Sequence, residues 1–267
     1  MAALQEILKR SRRTELSSEV KEASSSTHQA SVTRALLENS IYGFDVVPAA
    51  IHLAASTLSM SETSHLIAKM NLWRMRHGIY NNRARLGSLD LLSTSDTKGN
   101  AARLGLFEGD EDAYRIHGKG EDSEEMQFPS ECDLIIANPP YTRAGGPSDQ
   151  QNTAWNPIFG SLLDGADQRR MNQSLNRALG PTPAGVYSGL GSAFIVLADQ
   201  NIRIGGRIAF VLPSAAITGS SWRRIRSLLL RKYQLDWIVT SHDPRQRSAK
   251  SDLPGRIFAW PIPVRTA

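Results

Sequence analysis

Apolar positions fall into short, separated runs whose spacing changes along the chain. Leu4, Ile7 and Leu8 keep helical spacing among good helix formers, which predicts a helix over Ala2 to Arg13. Ser24 to Ser31 (SSSTHQAS) is polar and reads as a loop. Leu36 to Phe44 closes on Ile41-Tyr42-Gly43-Phe44, a short buried strand, and Pro48 then suits the first turn of a helix. Ala49 to Met60 is apolar nearly all round, so this helix is expected to be buried, with His52 a packed core residue rather than a ligand. Arg83 to Leu89 reads as another short strand. Asp133 to Ala137 (DLIIA) is an apolar strand stopped by Asn138-Pro139-Pro140, since proline cannot continue a ladder.

Further on, Thr142 to Tyr187 contains Gly145-Gly146-Pro147, Asn156-Pro157 and Gly180-Pro181-Thr182-Pro183. It reads as loop with a helix near Gln168 to Ala178, and a loop this long is uncommon in a compact domain unless it serves a function. Helical periodicity returns over Ser192 to Ile202, and Arg207 to Leu212 is an apolar strand ended by Pro213. Ser220 and Ser221 can start a helix running to about Lys232, and Leu235 to Val239 is a final strand. Strands alternating with helices predict a parallel α/β sheet. No internal repeat is present, and from Asp243 onward the chain shows no clear period.

Composition narrows the class. The 267 residues, 40% apolar and 21% charged, suffice for a real core in one large or two small domains. A single cysteine, Cys132, excludes an internal disulfide framework and a Cys-rich zinc module, and six histidines without paired cysteines give no metal cluster. Cys132 itself reads as packing rather than chemistry. No apolar run reaches the roughly 18 residues of a membrane helix. Glu6 and Lys9 interrupt the place where a secretory signal needs an apolar core. The expectation is a soluble, cytoplasmic protein with no membrane partner.

Charge changes the picture more than its total of +5 suggests. Residues 106–133 hold ten acids against Arg115 and Lys119, whereas the chain from Asn201 onward holds twelve bases against three acids. An acidic surface insertion thus precedes the DLIIA strand and a basic quarter follows it, which fits an anionic partner.

Asn138-Pro139-Pro140-Tyr141 is the sharpest signal in the chain. By letter frequency a given tetrapeptide of this kind occurs on the order of once in a thousand chains of this length. It also sits at the carboxyl end of a predicted strand, where open α/β sheets bind ligands. The competing reading is a proline-stiffened turn with a tyrosine packed nearby.

This segment resembles the signature of the S-adenosylmethionine-dependent amino-methyltransferases, above all the N6-adenine DNA methyltransferases. The exocyclic amine of adenine is a poor nucleophile because its lone pair is delocalised into the ring. The Asn138 side-chain carbonyl and the backbone carbonyl beside it can accept both amine hydrogens and aim the lone pair at a donor methyl. Two prolines preorganise those acceptors. Tyr141 offers a face on which an extruded base can stack.

Other stretches extend the resemblance over about residues 35 to 245. Ile41-Tyr-Gly-Phe-Asp45-Val46-Val-Pro48 is similar to the family's second strand, which implies that Asp45 binds the cofactor ribose and Val46 packs on its adenine; a plain helix cap is the alternative for Asp45. In Arg85-Leu-Gly-Ser88-Leu89-Asp90, Ser88 stands where the family often has an acid contacting the cofactor adenine, Leu89 follows as the apolar neighbour, and Asp90 is the other candidate. Gly205 to Ser214 and Trp222-Arg223-Arg224-Ile-Arg226 are similar to the family's late strand and helix, and Ser241-His242-Asp243-Pro244 to a sequence common in large restriction-modification methylases. Arg223, Arg224 and Arg226 suit DNA phosphates, or else a solvated helix face.

The resemblance implies a Rossmann-like class I methyltransferase sheet with flanking helices, methylating adenine N6 in double-stranded DNA with a flipped adenine. Its glycine-rich first motif has no match upstream of Asp45, so the expectation is a partial catalytic domain over 1–244, lacking its first central strand. Residues 106–132 form the acidic insertion, 142–187 a substrate loop and 245–267 an irregular basic tail. Restriction or specificity subunits, or a chain supplying the missing motif, are the expected protein partners. Methylation of a glutamine amide or an rRNA guanine is the rival enzymatic reading. An inactive remnant, or a DNA-binding subunit completed by another chain, is the rival of a different class.

Overall fold

The computed structural model describes residues 22–61, 63, 66–67, 69–80, 82–92, 113–117, 120–122, 129, 131–140, 165–184, 188–239 and 256–261. The chain divides into two compact units, Met1–Arg76 with Gly105–Met126, and His77–Leu104 with Gln127–Ala267. The helix expected over residues 2–13 lies outside the described residues.

In the first unit, α1 (Glu22–Asn39) runs through the serine-rich stretch expected to be a loop. Ala30, Thr33 and Leu37 are buried, a helical spacing that a small residue and a threonine conceal in the sequence. The Asn71 side chain donates to the Glu38 carbonyl at 2.9 Å, satisfying one of the orphan acceptors at the end of α1. β1 (Tyr42–Asp45) pairs in parallel with β2 (Lys69–Met75), and β2 pairs antiparallel with β5 (Ala113–His117), which is followed by β6 (Gly120–Asp122). The last two form a hairpin inside the acidic insertion. β1 is only half-buried, not the buried strand expected.

α2 (Pro48–Ser59) starts at the predicted proline. Its burial was overestimated. Ile51 packs with Met70 and Leu72 of β2 and with Ala54, Ala55 and Leu58, but Leu53 is 69% exposed and His52 is also exposed. One face of the helix suffices to cover two short strands.

In the second unit, β3 (His77–Tyr80) and β4 (Arg83–Leu86) form a hairpin, and a 3-10 turn follows over Gly87–Leu91. The strand expected to reach Leu89 therefore ends three residues early. α3 (Gly165–Leu179) covers the hairpin with Met171, Leu175 and Leu179. β7 (Cys132–Ala137) pairs in parallel with β8 (Ile202–Leu212), and β10 (Arg256–Pro261) inserts antiparallel between β8 and β9 (Trp237–Val239). Thus β9 is not the final strand, and the tail expected to be irregular contains β10. β8 begins five residues before the predicted Arg207, with Gly205 at φ +80 where the register with β7 shifts. A bulge at a left-handed glycine hides the strand's true start.

α4 (Leu190–Asn201) and α5 (Arg223–Lys232) follow the predicted helices closely. Ile195, Phe210, Leu212, Trp222, Ile225 and Leu229 form the core here. The architecture is thus a mixed α/β one with small sheets. Among the described residues the strands form two four-stranded sheets and a hairpin rather than one parallel sheet, and both β1 and β7 stand at sheet edges. No helix among them is long and apolar enough to cross a membrane.

Burial lowers the pKa of His77 to about 4, from an ordinary value near 6.5. Between these values the unfolded chain binds a proton that the folded chain does not, so stability falls as pH drops through that window and is unaffected above it. The expected loss between pH 7 and 5 is about 2 kcal/mol from this group. Urea titrations at both pH values should show this in the wild type and not in His77→Gln; equal losses in both would remove the assignment.

Candidate active site

β7 is an apolar strand that ends where its backbone meets two prolines. Asn138 emerges exposed, Pro139 is buried and Pro140 is half-buried. What locks the turn lies behind it. Gly191, in the first turn of α4, approaches so closely that an added methyl would stand 3.2 Å from the Trp222 ring, 3.6 Å from Leu212 and 3.7 Å from Pro139. The Ser188 hydroxyl donates to the Ser221 carbonyl at 2.6 Å, joining the start of α4 to the turn that carries Trp222. The Asn-Pro-Pro turn is therefore backed by a packed wall. In the sequence Gly191 is not singled out, and Trp222 is named only at the head of the late-helix stretch.

At the other end of β7, Asp133 pairs with Arg203 on the protein surface. The Cys132 thiol donates to the Pro129 carbonyl, and burial first, then the neighbouring Asp133 carboxylate, raises its pKa. A thiol held protonated suits packing.

The second candidate segment lies in the same unit. Ser88 is half-buried in the 3-10 turn, while Leu89 is 2% exposed and belongs to the core. Asp90 accepts the Leu86 amide at 2.9 Å, so it braces the turn from within. α4 touches both this turn and β7, so the Ser88 and Asn138 segments share one supporting helix.

Asp45 belongs to the first unit. It stands at the carboxyl end of β1, half-buried, and its Oδ1 accepts the Val47 amide at 2.8 Å. That bond organises the turn into α2, whose own N-cap is Val47 with no side-chain cap bond. Val46 is half-buried beside it.

The basic helix divides in two. Arg223 and Arg224 are exposed, but Arg226 donates to the carbonyls of Ala216 and Gly219, at 3.2 and 2.7 Å. Its guanidinium thus holds the preceding loop. Lys232 and Tyr233 donate to the two oxygens of Asp199, each at 2.7 Å. Tyr141 and Ser241 to Pro244 lie outside the described residues, as do 142–164 and 185–187 of the expected substrate loop. Among the described residues no three His, Cys, Asp or Glu side chains are grouped to hold a metal.

The family profile of the Eco57I restriction-modification methylase matches residues 39–246, more than half of the chain. The chain belongs to that family. Among curated proteins, nothing matches it. The matched span takes in Asp45, Ser88 and Asn138 and ends before β10. No part of the match extends over the last strand.

Proposed function

We propose that this protein transfers a methyl group from S-adenosylmethionine to the N6 amine of adenine in double-stranded DNA, as the modifying activity of a restriction or phage-defence system. The observation that carries the reading is the Asn-Pro-Pro turn at the end of β7, with Asn138 exposed above a buried Pro139. When bound, S-adenosylmethionine supplies an electrophilic methyl on a sulfonium sulfur that departs as a neutral thioether.

Each unit carries side chains whose chemistry suits such a cofactor. Asp45 is a carboxylate at the end of a parallel strand, oriented by the Val47 amide, and would accept the ribose hydroxyls. Ser88, half-buried rather than sealed in the second unit, carries a hydroxyl that would contact the adenine ring of the cofactor. Leu89 contributes by fixing the turn from the core.

Asn138 would accept one hydrogen of the target amine through Oδ1, while the backbone carbonyl beside it accepts the other. This pair of acceptors draws the nitrogen toward a tetrahedral geometry and relieves the positive charge that develops as the N–C bond forms. After methyl transfer the surplus proton on N6 is lost to water. No side chain of high pKa is needed. Tyr141 would stack on the extruded base.

The deciding experiment incubates the purified protein with methyl-labelled S-adenosylmethionine and, in parallel, unmethylated genomic DNA, ribosomal RNA or cell protein, then identifies the labelled nucleoside or amino acid by mass spectrometry. N6-methyladenine is expected. Label in cytosine, in rRNA guanine or in a protein glutamine would each replace this reading by another, and no labelled product would favour the non-catalytic one.

A further inference from the structure

The outward face of α3 is polar and basic. Arg169, Arg170, Gln173, Asn176 and Arg177 are all exposed, while Met171, Leu175 and Leu179 are buried against the other side. At 100° per residue these five side chains fall within one arc of the helix. Asp167, the only acid of α3, is half-buried and lies off that arc. Arg170 donates to the Asn82 side chain at 2.6 Å, fastening α3 to the tip of the β3–β4 hairpin, where Arg83 is also exposed.

We propose that this face of α3 reads duplex DNA, a partner set by its charge and its side-chain chemistry; the proposal rests on the DNA-methylation reading above. An arginine- and amide-bearing stripe without acid complements a phosphate backbone, and glutamine, asparagine and arginine are the side chains that pair bidentately with adenine and guanine edges in the major groove. From Arg169 to Arg177 the helix advances about 12 Å, a span of roughly three or four base pairs. α5 fits this task less well. Its Arg226 and Lys232 are engaged within the fold, Arg231 donates to the Ser227 carbonyl, and Leu230 is 68% exposed among them.

The test uses the full chain and a pool of short DNA duplexes with randomised centres, with anisotropy across a salt series and sequencing of the bound fraction. Arg169→Ala/Arg177→Ala should weaken binding to every sequence and lower the slope of log affinity against log salt by about 2. Gln173→Ala/Asn176→Ala should keep that slope and lose roughly tenfold preference at one or two base positions. Arg169→Lys/Arg177→Lys should restore the slope, which separates charge from a folding defect.

If both alanine pairs bind as the wild type does, or if Arg223→Ala/Arg224→Ala alone carries the slope change, this proposal falls and the DNA reading stands. If the wild type binds no duplex, both fall. A larger loss on an RNA hairpin than on duplex DNA also overturns the assignment of α3.

Discussion

Asn138→Ala is expected to lower methyl transfer by about 10²–10³-fold while leaving duplex binding and the melting temperature close to wild type. The magnitude is that of removing one preorganised polar group aimed at developing charge. The direction follows from geometry. Asn138 is exposed at the end of β7, so truncating it opens no core cavity, and losing one exposed contact costs about 1 kcal/mol or less. Pro139 and its packed wall remain, so the turn keeps its course. Single-turnover methylation under saturating DNA and cofactor isolates the chemical step. A rate within twofold of wild type would remove Asn138 from the site, whereas a fall matched by loss of folding would return it to a structural role.

Trp222→Ala is expected to be the most destabilising single change at this site, at about 3–5 kcal/mol. Trp222 is 3% exposed and lines an apolar cavity with Ile195, Leu212, Ile225 and Leu229. Truncating it to alanine leaves a void against the first turn of α4, where Gly191 stands with no side chain to fill it. Against a typical total of about 5–15 kcal/mol this is a large fraction. Urea unfolding would show it as a lower midpoint with an unchanged slope. Trp222→Phe should retain most of the lost stability because a ring still covers Gly191. Equal midpoints for wild type and Trp222→Ala would mean that the wall behind Pro139 is not packed as described.

The strand carrying the candidate site was legible because its composition and its local structure coincide in sequence. An apolar run ending in two prolines announces both a strand and its end, and Pro48 did the same for the start of α2. Distances beyond a few residues were not legible. Met70-Asn71-Leu72-Trp73-Arg74-Met75 has neither alternation nor β-branched residues, yet it is a strand because α1, α2 and two strands surround it. α1 escaped notice for the opposite reason, its buried face being made of Ala30 and Thr33 as much as Leu37. Arg226 looked like its exposed neighbours, since nothing in a run of arginines marks the one whose partners are the carbonyls of Ala216 and Gly219.

The position of β7 has a consequence for the protein's behaviour in solution. Leu134 and Ile136, 43% and 66% exposed, lie on a strand that stands at the sheet edge among the described residues, the kind of surface on which foreign strands can add. The run is closed at both ends, however. The charged pair of Asp133 and Arg203 stands before it and the prolines after it, leaving only Leu134, Ile135, Ile136 and Ala137 uninterrupted. Segments that nucleate fibrils need about five to seven such residues without charge or proline. The residues that would grip an adenine therefore also act as a gatekeeper, cutting the sticky stretch short of the length at which it could recruit copies of itself.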